Sequence, residues 1–231
     1  MQKIGFIGAY DKIDCILYVA KILTELGKKV LVIDATHKQK AKYVVPAINP
    51  TKNYVTEFEK IDVAIGFKEI KTIEQYLGVN TLQGTYDIVI IDVDSPVMFQ
   101  NFDLLHAQKN YFVTSFDVYS LKKGLEIINN LEEPVSLTKV LFSKEMLKEE
   151  DDYLNFLSLG CKVIWNEYRI YFPIENGDLS VIYENQRVAK VKFKKLSVQY
   201  KDGLAYIAEE ILGDANETRV RKAIKTIERG V

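Results

Sequence analysis

Short runs rich in Ile and Val alternate along the chain with helix-length amphipathic segments. The apolar runs occupy residues 3–8, 30–34, 61–65, 87–92, 111–114, 140–142 and 169–172. Such alternation predicts βαβ units and an α/β fold, with a mostly parallel central sheet and helices on both faces. Ile88-Val89-Ile90-Ile91 is apolar at every position, the pattern of a strand covered on both faces, and it is predicted at the sheet centre. Between the first two runs, Ile16, Leu17, Ala20 and Leu23 recur at helical spacing and Gly27 follows as a helix stop. Residues 197–212 place Tyr200, Leu204, Ile207 and Ile211 on one helical face, with Ser197 as N-cap. Residues 37–60, with Pro46 and Pro50, lack periodicity and predict an irregular surface connection. No repeat or linker divides the chain, so the reading is one α/β domain over residues 1–213 and an amphipathic helix over 214–231.

Composition narrows the classes. A chain of 231 residues, 48% hydrophobic and 27% charged, buries a full core and is not disordered. Its 31 Lys and Arg nearly cancel 32 Asp and Glu, so any attraction to nucleic acid or lipid must come from a local patch. Two cysteines, Cys15 and Cys161, are too few for a disulfide framework. Without an apolar stretch of membrane-spanning length or a secretory leader, the expectation is a soluble cytoplasmic protein, with room for membrane association through a partner.

Ligands of such sheets bind at the carboxyl ends of the strands, which draws attention to Gly8-Ala9-Tyr10-Asp11-Lys12-Ile13-Asp14. Together with the run from Leu26 to Ala35, which contains Lys28-Lys29-Val30-Leu31 and Asp34, and with Tyr86-Asp87-Ile88-Val89-Ile90-Ile91-Asp92, this loop resembles the ParA/MinD family of deviant-Walker, SIMIBI-class ATPases. The resemblance implies that Lys12 stands at the Walker lysine, Gly8 at one loop glycine, Asp34 at the acid ending the second strand and Asp92 at the Walker B-type acid. Phe112-Val113-Thr114-Ser115 and Ser120-Leu121 resemble the strand and helix that follow, and Tyr171-Phe172-Pro173 the loop beside adenine, which gives Pro173 its place in the site.

The phosphate loop departs from the family pattern. Ile7 replaces the signature lysine, Ala9 and Asp11 replace glycines, and Ile13 and Asp14 replace threonines. Ile13 has no hydroxyl for Mg²⁺, and Asp11 beside a triphosphate would cost ~3 kcal/mol at ~5 Å unless a cation offset it. The implied protein is a degenerate pseudo-ATPase that needs no cofactor, leaves room only for weak ATP binding, and acts as a positioning or scaffolding subunit of a pilus, secretion or conjugation assembly. A homodimer and a protein partner are implied with it. The alternatives are a weak ATP switch and a nucleic-acid-binding partition protein. A dinucleotide fold is a third competitor, but Tyr10 and Ile13 occupy the places of the second and third fingerprint glycines.

Several residues carry two readings. Lys12 can hold an anion at a helix start or pair with Asp11 or Asp14, and Asp34 and Asp92 can serve a ligand or cap strand ends. Arg187, Lys190, Lys192, Lys194 and Lys195 form a basic patch, with Lys190, Lys192 and Lys194 on one face of a predicted strand; it suits phosphates or a solvated edge. From Thr218 to Val231, the residues Val220, Ile224, Ile227 and Val231 form a stripe without an aromatic. That stripe predicts docking on protein, and at most weak membrane contact. Ile7 in place of a lysine predicts a more apolar loop face and self-association without nucleotide. His37 and His106 are too isolated to suggest a triad, and no metal site is expected.

Overall fold

A computed structural model describes residues 1–48, 50–129, 131–144, 148–174, 176–213 and 216–230. In chain order its elements are β1 (Gln2–Ile7), α1 (Ile13–Glu25), β2 (Val30–Asp34), α2 (Ala41–Val44), β3 (Tyr54–Phe58), β4 (Ile61–Ile65), α3 (Ile70–Leu77) and β5 (Ile88–Val93). There follow α4 (Pro96–Asn101), β6 (Lys109–Ser115), α5 (Val118–Ile128), β7 (Val135–Ser143), α6 (Lys148–Leu157), β8 (Val163–Pro173), α7 (Asn176–Arg187), α8 (Val198–Leu212) and α9 (Glu217–Arg229). The eight strands lie in the order β3-β4-β2-β5-β1-β6-β7-β8, parallel except for β3 against β4. This is the predicted α/β class.

The apolar run of β5 is explained by its two faces. Ile88 and Ile90 enter the core under α1, α8 and α9, while Val89, Ile91 and Val93 enter the core under α3, α4, α5 and α6. Strand β5 lies between β2 and β1, and its register sets Asp34 opposite Asp92. Helix α1 ends as the sequence predicts. Gly27, at φ +81°, lets Lys28 N–H reach Leu23 O at 3.1 Å and Gly27 N–H reach Thr24 O at 3.0 Å, a Schellman closure. Ser197 caps α8 by accepting from Tyr200 N–H at 3.1 Å.

Two expectations need correction. The irregular stretch at 37–60 contains α2 and all of β3, whose hairpin with β4 turns at Glu59 and Lys60, both with positive φ. Neither residue carries the usual Asn-Gly signal of such a turn. Ion pairs from Glu59 to Lys21 at 2.7 Å and to Lys190 at 3.1 Å hold it instead. The second correction concerns residues 190–194, which form an irregular segment after α7 rather than a strand. Val191 and Phe193 still turn inward and Lys192 and Lys194 outward, because Phe193 packs edge-on against Tyr18 at 5.1 Å.

Helix α9 lays Val220, Ala223 and Ile224 against α1 and α8, with Ile227 half-buried beside them; Val231 lies outside the described residues. Ion pairs Arg221–Asp202 at 2.6 Å and Lys201–Glu228 at 2.7 Å tie α9 to α8. Its apolar stripe is thus used inside the molecule. Among the described residues no helix is long and apolar enough to cross a membrane. Replacing Ile224 by Ala should lower the unfolding free energy by about 2–3 kcal/mol, read from the urea midpoint. An unchanged midpoint would mean that α9 is not part of the core.

Candidate functional site

The carboxyl ends of β1, β2 and β5 converge on the loop from Gly8 to Lys12. Gly8 has φ +147°, and a Cβ there would lie 2.1 Å from Val113 O on β6. Packing alone therefore requires glycine at this position, whatever the loop binds. The first hydrogen bond of the α1 region runs from Ile16 N–H to Lys12 O at 3.0 Å. The Lys12 side chain turns back from there. Its Nζ donates to Gly8 O at 2.8 Å and lies 2.6 Å from Asp92 Oδ1, with both side chains almost wholly buried.

Asp92 Oδ1 receives no well-aligned hydrogen bond, so the contact with Lys12 is chiefly electrostatic. Burial pushes the Asp92 carboxyl up to about 7; Lys12 pulls it down and the neighbouring Asp34 pushes it up again. Desolvation outweighs the attraction even at contact distance, as is common for buried pairs.

Asp34 is fully committed to its own loop. Oδ1 accepts from Thr36 N–H at 3.1 Å and Thr36 Oγ1–H at 2.6 Å, and Oδ2 accepts from Ala41 N–H at 2.9 Å. Asp11 and Asp14 do not pair with Lys12, contrary to one sequence reading. Both take Lys40, at 2.6 Å and 2.8 Å, and Asp14 also accepts from Gln186 Nε2 on α7 at 2.8 Å. Lys40 is the cation that offsets the carboxylate of Asp11. Burial works against its charge, but Asp14 and Asp11 outweigh that and raise its pKa.

Ile13 is buried with its side chain in the core under α1. Ile7 is also buried, in the core on the opposite face of the sheet. The expected apolar contribution of Ile7 to an exposed loop face is therefore corrected: strand β1 continues through this position and turns the side chain inward.

Two cavities flank the loop. One of about 230 Å³ is lined by Lys12, Asp34, Asp92, Asp94, Lys38 and Tyr43 among others. Another of about 200 Å³ lies beside Pro173 at the end of β8, with Tyr10, Phe142, Tyr183 and Tyr200 in its walls. Tyr10, Asp11 and Lys40 line both. Sequence reasoning missed Lys40 and also Asp94, which accepts from His37 N–H at 3.0 Å and contacts His37 Nδ1 at 2.9 Å. The basic patch stands apart from both cavities and is partly neutralised, since Lys190 pairs with Glu59 and Lys195 with Glu184 at 3.0 Å. Arg187 ends α7, while Lys192 and Lys194 are exposed.

A Mg²⁺-nucleotide does not fit this donor set. Ile13 offers no metal ligand, Asp34 has spent both oxygens, and Lys12 is held by Asp92. Among the described residues no cluster of His, Cys, Asp and Glu is placed to hold a metal.

The raised Asp92 pKa has a consequence for stability. In the unfolded chain Asp92 releases its proton near pH 4, and in the folded protein near pH 7. The folded state therefore binds more protons between those values, and stability is lost as pH rises through about 7. Asp92→Asn removes this titration. The variant should gain on the wild type by about 3 kcal/mol between pH 5 and pH 8 in urea unfolding. Parallel pH profiles would contradict the assignment.

No protein-family model and no curated protein sequence matches the chain. Solved structures do. A ParA family ATPase from Chlorobium tepidum TLS superposes with a TM-score of 0.61 at 13% identity, covering 90% of this chain and 97% of that one. The MinD cell division protein of Aquifex aeolicus gives 0.60 at 16% identity over 93% and 98%. The ATP complex of a single-residue variant of Cyanothece McdA gives 0.57 at 13% identity over 92% and 96%. At such identities the likeness concerns architecture, and the chain has the fold of ParA/MinD-type ATPases.

Proposed function

We propose that this chain is a degenerate member of the ParA/MinD group that does not hydrolyse ATP and works as a positioning or scaffolding subunit of a bacterial pilus, secretion or conjugation assembly. The observation that carries the reading is the buried contact of Lys12 Nζ with Asp92 Oδ1 at 2.6 Å and with Gly8 O at 2.8 Å. A lysine that serves a phosphate must give up both contacts, leaving Asp92 buried without its counter-ion, and such losses cost several kcal/mol. Ile13 then supplies no metal-ligating hydroxyl to repay that cost.

A protein-binding role agrees with what surrounds the site. Tyr43, Val97, Val118 and Tyr119 are each more than half exposed near the carboxyl ends of β2, β5 and β6. An apolar rim of this kind suits contact with another protein or a second copy of this chain. The solved MinC:MinD complex of Aquifex aeolicus, whose matching chain superposes at a TM-score of 0.58 and 14% identity, is a precedent for this fold in a protein complex. The partition-type alternative draws less support, because Glu59 and Glu184 already engage Lys190 and Lys195.

The test is phosphate release with ATP and Mg²⁺, with wild type compared to Lys12→Ala. Both should stay at the level of a blank without protein, and a wild-type rate abolished in Lys12→Ala would refute the proposal. Sedimentation without nucleotide tests the rim: self-association should weaken at least tenfold in Val118→Asp, a loss of about 1.4 kcal/mol. Equal association of the two proteins would move the contact elsewhere.

A further inference from the structure

Helix α9 spends its apolar face on α1 and α8, and its opposite face meets solvent. At about 3.6 residues per turn, Lys222, Lys225 and Arg229 fall on that outer face, with Arg219 at its border. All four are exposed, and among the described residues none makes an ion pair. Arg219 donates only to the Asn216 amide oxygen, at 3.1 Å. The two acids of α9 are taken elsewhere, Glu217 by Arg221 at 3.5 Å and Glu228 by Lys201 at 2.7 Å. A helix face that merely meets water is stabilised by opposite charges three and four residues apart, and like charges at those spacings work against it. Lys222, Lys225 and Arg229 stand at those spacings with no acid among them. An anionic partner would relieve their repulsion.

The surroundings restrict the shape of that partner. On the α8 side of the stripe lie Asp202, Glu209, Glu217 and Glu228, against only Arg221 and Lys201. Burial raises the Glu209 pKa; Arg221 opposes the shift, while Glu217 and Asp202 add to it. A flat or wide polyanion laid on the stripe would press its own charges against this acidic band. A bilayer would also find nothing to insert, because Val220 and Ile224 face inward. A narrow partner avoids the band. The stripe from Lys222 to Arg229 is about 10 Å long, close to the diameter of one α-helix. Carboxylates at three- and four-residue spacing on such a helix would meet the cations one for one.

We propose that the outer face of α9 docks an acidic helix of a protein partner, with carboxylates against Lys222, Lys225 and Arg229. The proposal rests on the reading that this chain works through protein contacts.

Fluorescence anisotropy of the full chain with two labelled, blocked, alanine-based helical peptides tests it. One carries its glutamates on a single face at three- and four-residue spacing, and the other spreads the same number around the helix. The one-faced peptide should bind about fivefold more tightly, and its binding should weaken as salt rises. The variant Lys222→Gln/Lys225→Gln/Arg229→Gln should bind it about tenfold more weakly without a lower urea midpoint, since the fold does not use these charges. Lys192→Gln/Lys194→Gln, which changes exposed cations elsewhere, should bind as wild type does. Equal binding of the two peptides, unchanged binding in the α9 variant, or no binding even at low salt would overturn the proposal. A short DNA duplex or phosphatidylserine vesicles bound more tightly than the peptide, and lost in the α9 variant, would overturn it in favour of a wider polyanion. Mg²⁺-dependent ATP turnover abolished in Lys12→Ala, with peptide binding intact, would refute only the reading of the protein as a scaffold.

Discussion

A lysine and an aspartate with almost no exposed surface must find each other, because either charge alone in the interior is costly. In this protein the pair is Lys12 and Asp92. Lys12 sits where the β1 loop enters α1, and Asp92 lies on the most central apolar strand, so the contact fixes the loop over the sheet. Gly8 completes the arrangement by accepting from Lys12 and by allowing β1 to pass close to Val113. The geometry of the site follows from this constraint: with the lysine turned inward, the loop presents side chains of Tyr10 and Asp11 where a phosphate cradle would offer bare backbone.

The other charges around the site are arranged around that core contact. Asp34 spends its acceptors on Thr36 and Ala41, which folds the chain after β2 into a compact turn and brings Lys40 across to Asp11 and Asp14. Lys40, with Tyr10 and Asp11, then lines both cavities. The result is a ParA/MinD-type architecture in which Asp34, Asp11 and Asp14 are engaged by neighbours on the β2–α2 connection. Its Asp92 remains under strain of a chemical kind, held at a proton affinity far above that of an ordinary carboxylate by burial and by Asp34.

Much of the fold was legible because its signals are local or periodic. The continuous run of β5, the apolar spacing and Gly27 of α1, and Ser197 before α8 each carry their own physical cause. The β3–β4 hairpin was not legible, since Glu59 and Lys60 adopt positive φ under tertiary ion pairs rather than by turn preference. The alternation at residues 190–194 gave inward and outward positions correctly and the strand wrongly, because an extended loop anchored by Phe193 shows the same period. In the site, the resemblance to the ParA/MinD family drew attention to Lys12 and Asp92 but could not pair them with each other. Lys40 was invisible: its link to Asp14 spans 26 residues and depends on how the turn after Asp34 folds.

The central claim is that Lys12 belongs to Asp92 and is not available to a phosphate. Equilibrium calorimetry of the wild-type protein with ATP, in the presence and absence of Mg²⁺, addresses it most directly. The account predicts no Mg²⁺-dependent binding, and any residual heat should be the same in Lys12→Ala. Tight binding that requires Mg²⁺ and vanishes in Lys12→Ala would contradict it, because the lysine would then have left the aspartate for the nucleotide.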